Sequence, residues 1–144
     1  MLYSPTMKKH LLSIPIGFLL LLYVSPSLAK SIWLECGKDK FNLDDDKREY
    51  STTMGNRIIQ GSAVFFPTQI DFSVPLFTYK DGLGGIRYDY SINRKTLEYQ
   101  MKVMSRIVYT STSFDSGWVQ QKGEHSFTTG TCKIIKNPTE GNKI

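Results

Sequence analysis

Past residue 29 the chain holds one histidine, His125, two cysteines, Cys36 and Cys132, and carboxylates scattered among lysines and arginines. His125 stands in Gly123-Glu124-His125-Ser126, a polar, loop-like stretch. A nucleophilic triad needs a histidine oriented by an acid and within reach of a serine, and such a loop does not supply that geometry by itself. Zinc normally takes four ligands from His, Cys and carboxylate, which one histidine and two distant cysteines do not provide. Asp44-Asp45-Asp46 is the densest acid cluster, but a calcium loop spaces its carboxylates at alternate positions and includes a glycine. Lys47 and Arg48 follow here, so the triplet reads as a solvated turn. Asp81-Gly82-Leu83-Gly84-Gly85 has the glycines of a phosphate loop without its setting. Such loops lie between a strand and a helix N-terminus, and a strand pattern follows this one. No catalytic residue, metal ligand or cofactor site is assigned; the expectation is a binder, not an enzyme.

The first thirty residues have the organisation of a secretory signal. Met7-Lys8-Lys9-His10 is a basic start, Leu11 to Val24 is an almost unbroken apolar run, and Ser27-Leu28-Ala29 places small residues where a signal peptidase reads. A spanning helix needs about 18 or more apolar residues, and this run is shorter and broken by Pro15 and Gly17. A lipoprotein would carry a cysteine at the cleavage point, and Cys36 lies beyond it. The reading is a cleaved signal at residues 1–29, a periplasmic or extracellular mature chain, and no stable membrane anchor after cleavage. Met7 suits the start better than Met1, because it puts the two lysines at the terminus. Cleavage removes Lys8 and Lys9 and no acid, so the formal charge falls by two from +5. The remaining basic residues form no stripe, which argues against nucleic acid as a partner.

Residues 30–136 make a single domain of a size that buries a core without metal. Residues 137–144, with Pro138, Glu140 and Gly141, read as a flexible tail. In an oxidising compartment an isolated cysteine pair forms a disulfide, so Cys36 and Cys132 are expected to be bridged.

The elements that would position any site show a period of two. Ile86–Ile92 and Leu97–Val103 each alternate apolar and polar residues without a fault, around a turn at Asn93-Arg94-Lys95-Thr96. They read as a hairpin with one buried face. Ile70, Phe72, Val74 and Leu76 alternate upstream, with Pro75 marking an edge or a strand end. Arg57–Phe66 reads as a strand buried on both faces at one end and bulged at Gly61, with Pro67-Thr68 turning into the next. Ile32–Cys36, Lys40–Leu43, Glu49–Thr53, Ile107–Thr112, Gly117–Gln121 and Thr131–Ile135 complete the set. Short strands with hairpin-length loops predict an all-β domain. A bridge needs Cα atoms within about 7 Å, so the first and last strands must meet. A small antiparallel β-barrel follows, with a two-sheet sandwich as the alternative.

Two sets of residues are candidates for binding. Tyr88, Tyr90 and Tyr99 fall on inward faces of neighbouring strands, with Phe72 nearby. Tyrosine hydroxyls need partners in a dry interior, so these four residues either fill the barrel or line a pocket for a small ligand. The second set is Leu83, an apolar tip between glycines, and Arg94, exposed in the Asn93–Thr96 turn. These would serve a protein partner or an inhibitory contact, unless Leu83 packs into its loop and Arg94 simply pairs with Glu98 or Asp89.

Trp33-Leu34-Glu35-Cys36-Gly37, then Ile92-Asn93-Arg94-Lys95-Thr96-Leu97-Glu98-Tyr99, then Gly130-Thr131-Cys132, form an ordered string across most of the domain. This string resembles small signal-bearing proteins of marine picocyanobacteria that carry no known activity. The resemblance implies a periplasmic or secreted setting and no catalytic residues. At the level of architecture the chain is similar to lipocalin-like binders and to the small barrels that inhibit lysozyme, which implies binding of a small molecule or a protein.

Overall fold

The computed structural model describes residues 31–79 and 84–138. The expected signal at residues 1–29, the loop tip at Leu83 and the end of the tail lie outside the described residues. Seven strands follow one another as antiparallel neighbours: β1 (Ser31–Cys36), β2 (Asp39–Asp44), β3 (Glu49–Met54), β4 (Arg57–Phe65), β5 (Gln69–Thr78), β6 (Gly85–Asn93) and β7 (Glu98–Arg106). The chain then makes an excursion through β8 (Val108–Tyr109), β9 (Phe114–Asp115) and β10 (Val119–Gln120). It returns as β11 (Phe127–Ile135), which pairs with β7 and with β1 and closes an eight-stranded antiparallel barrel. Cys36 and Cys132 face each other in the β1–β11 register, bridged with Cα atoms 4.2 Å apart.

Two strands turn the corners. β4 pairs with β3 through Ser62 and with β5 from Ala63 onward, while β11 pairs with β7 through Thr131 and with β1 from Cys132. A glycine precedes each switch, and a tyrosine stands directly opposite it, Tyr50 across from Gly61 and Tyr99 across from Gly130. A Cβ on Gly61 would lie 2.7 Å from the Tyr50 ring, and one on Gly130 2.8 Å from the Tyr99 ring. The missing side chains let each ring lie over the backbone and reach past the corner. Tyr50 Oη donates to the Ser73 carbonyl at 2.5 Å, clasping β3 to β5 across β4.

The inward faces fill the middle of the barrel. Phe41, Phe72 and Tyr90 pack with ring centroids 4.8–5.2 Å apart, and Tyr50 leans on Phe72 at 4.8 Å. Tyr90 Oη donates to Asp39 Oδ2 at 2.8 Å, which satisfies a buried hydroxyl. Burial, and then the neighbouring Asp39 carboxylate, push the Tyr90 phenol far above its ordinary value of 10.0. Burial raises Tyr50 as well.

Several local expectations change. β4 is buried on one face only, since Ile58 and Val64 point outward and are exposed. Gly61 is paired, not bulged, and the register shift falls instead between Pro75 and Phe77 of β5, where proline has no N–H for the ladder. The last strand starts at Phe127, earlier than the Thr131 expected, and Ile107–Thr112 yields only the two residues of β8.

Candidate functional site

Among the described residues, one end of the barrel is left open. The β2–β3, β4–β5 and β6–β7 turns surround a cavity of about 300 Å³. Its floor is Leu34, Leu43, Ile70 and Ile92, all nearly inaccessible to solvent. Above them stand Ile32, Phe65, Leu97 and Ile134. Alternation along β11 places Ile134 on the same inward face as Cys132, yet it is 68 % exposed, with no covering side chain among the described residues. An inward isoleucine in water marks a mouth.

Leu97 reaches the mouth through an unusual backbone. Its φ is 60°, in the left-handed region where a leucine is uncommon. The turn before it imposes this. Asn93 Oδ1 accepts the N–H groups of Lys95 and Thr96, both at 2.9 Å, and the Leu97 N–H donates to the Asn93 carbonyl. The Leu97 carbonyl then accepts the Cys132 N–H at 2.8 Å, tying the turn to β11 beside the disulfide. Strain held by this many bonds costs of order 1 kcal/mol.

Charged groups stand at the rim. Arg94 Nη2 donates to Asp45 Oδ2 at 3.0 Å and Nη1 to the Phe66 carbonyl at 3.1 Å. The β6–β7 turn is thereby strapped to the two other turns around the mouth. Arg48 Nη1 adds a bond to the Phe65 carbonyl at 3.2 Å. The cavity is thus apolar below and lined at its edge by Arg94, Asp45 and Asp46. Its volume sits at the lower end of the range for small-molecule pockets, about 300–1,000 Å³.

The residues singled out by sequence fall differently. Phe72, Tyr90 and Tyr99 are buried in the packed interior and Tyr88 is half-buried against it, so they fill the barrel below the mouth and do not line its cavity. Arg94 does lie at the mouth, but its carboxylate partner is Asp45, 49 residues earlier, in place of Glu98 or Asp89. Leu83, the other residue of that candidate set, is outside the described residues. Sequence reasoning missed Ile134, Ile32 and Leu97. Their signal was the continuation of the inward alternation beyond the last residue that could be covered. Among the described residues, no group of three or more His, Cys, Asp or Glu is placed to hold a metal ion. Compared with protein families, curated proteins and solved structures, the chain matches none.

Proposed function

We propose that this protein is a non-catalytic, exported binder of one small apolar or amphipathic molecule, taken into the open barrel end. The apolar part lies against Ile32, Leu97 and Ile134, and the polar end stays at the rim near Arg94 and Asp45. The observation that carries this reading is Ile134, an inward-facing side chain 68 % exposed at the head of an otherwise filled barrel. Covering such a side chain contributes about 1.5–3 kcal/mol, and a ligand gains that without disturbing the interior. The Cys36–Cys132 bridge is compatible with an oxidising compartment.

Native mass spectrometry of the protein, exported from a producing host and purified without reductant, tests this. The wild type should carry a bound mass that denaturation releases. Ile134→Glu should lack it while keeping the far-ultraviolet spectrum of the barrel. A wild type without bound mass, or a variant that keeps it, overturns the reading.

A further inference from the structure

Part of one side of β4 runs bare. The Ala63 N–H donates to the Arg48 carbonyl at 2.9 Å. Ala63 therefore turns its backbone polar groups toward β3, and alternation gives Gly61, Ile59 and Arg57 the same direction. The N–H and C=O groups of Ile58 and Gln60 point the other way, toward β5. Among the described residues they meet no strand there. β4 and β5 pair only from Ala63 to Phe65, and the Tyr50 hydroxyl takes the Ser73 carbonyl at the end of that ladder. Beyond this point the two strands part. A groove of about 750 Å³ opens between them, with Arg57, Ile58 and Ile59 on one wall and Pro75, Leu76 and Phe77 on the other.

The two walls differ as edges. The β5 wall carries Pro75 and the register shift after it, and both blunt an edge against pairing. The β4 wall has neither, and Ile58 on it is 74 % exposed. Unpaired main-chain donors and acceptors in a row, flanked by apolar side chains, match an extended polypeptide chain. Charge narrows the occupant further. Arg57 is the one charged residue in the lining, and no ion pair joins it to an acid among the described residues.

We propose that this groove takes an extended segment of a partner protein, added as a short strand along Ile58–Gln60. Its apolar side chains lie against Ile59, Leu76 and Phe77, and a carboxylate beside them meets Arg57. The site shares no residue with the mouth and does not depend on what the mouth holds.

Amide hydrogen exchange of the folded domain, read by NMR, tests the proposal. The probes are two end-blocked hexapeptides, Glu-Val-Thr-Val-Thr-Val and Lys-Val-Thr-Val-Thr-Val. In the free protein the amides of Ile58 and Gln60 should exchange fast, and those of Ile59 and Gly61 slowly. The glutamate peptide should slow Ile58 and Gln60 at least tenfold and saturably, and bind several-fold tighter than the lysine peptide. Arg57→Glu should reverse that order. Gln60→Pro deletes a groove-facing N–H and no bond to β3, a change that an edge tolerates. It should weaken binding about tenfold or more. If that variant does not fold, Ile58→Lys gives the same reading by placing a charge on the exposed edge. Unchanged exchange at both amides with either peptide overturns the proposal. Protection there that grows with the protein's own concentration assigns the edge to a second copy, and overturns it too.

Discussion

Leu97 shows how one residue joins the fold to the proposed site. Its left-handed backbone is strained, and the strain places an apolar side chain over the mouth. Leu97→Gly removes both. Relief of about 1 kcal/mol should largely offset the lost burial, so stability in urea should change little while the bound mass disappears. A variant that keeps its ligand would remove Leu97 from the site. The buried tyrosines make a different prediction. Because burial and Asp39 raise Tyr90, and burial raises Tyr50, both phenols keep their protons in the folded state when the unfolded chain has begun to lose them. Below the ordinary value of 10.0 both states are protonated and stability is indifferent to these groups. Above it, stability falls as pH rises. The tyrosinate absorbance of Tyr50 and Tyr90 should therefore appear only together with loss of the barrel's circular dichroism. A single early step with the barrel intact would contradict the packing of Tyr90. Neither residue's environment is visible in its own neighbourhood of the sequence. Leu97 reads as the first residue of an alternating strand, and Arg94 finds Asp45 only because two turns meet at the mouth.

The corner strands set the next scale. β4 and β11 each change partners one or two residues past a glycine that a tyrosine overlies. Gly61→Ala and Gly130→Ala should each cost about 1–3 kcal/mol, because the added methyl collides with a ring whose place in the core is fixed. Urea unfolding measures this, and a neutral result at both positions would mean the rings are free to move. The Cys36–Cys132 bridge closes a loop with a sequence separation of 96 and pins β11 to β1. Replacing both cysteines by serine should lower stability by up to about 4–5 kcal/mol on loop-closure entropy. The barrel, the β6–β7 hairpin and the disulfide were legible in the sequence because alternation and cysteine placement are local or nearly so. The partner switches were not. Gly61 and Gly130 look like simple punctuation, and Phe127-Thr128-Thr129 lacks the apolar alternation that marks a strand. Pro75 was legible as an irregularity, though its effect appears as the register shift after it.

At the scale of the molecule, a filled middle and an open end show which of the two readings of the aromatic residues the packing takes: they fill the barrel and do not line the cavity at the mouth. Sequence periodicity says which side chains point inward, but not how far along the barrel the interior stays covered. Phe41, Tyr50, Phe72, Tyr90 and Tyr99 close the centre, and the apolar residues beyond them meet water at the mouth. The central claim is that this mouth holds an apolar chain. Methyl NMR of the folded domain during titration with dodecanol, dodecylamine and dodecanoate tests it most directly. The account predicts saturable shifts at Ile32, Leu97 and Ile134 with at least one of the three, while deep Val74 and outward-facing Ile58 stay in place. Silence at those three residues with every probe, or shifts only at Ile58, would contradict it.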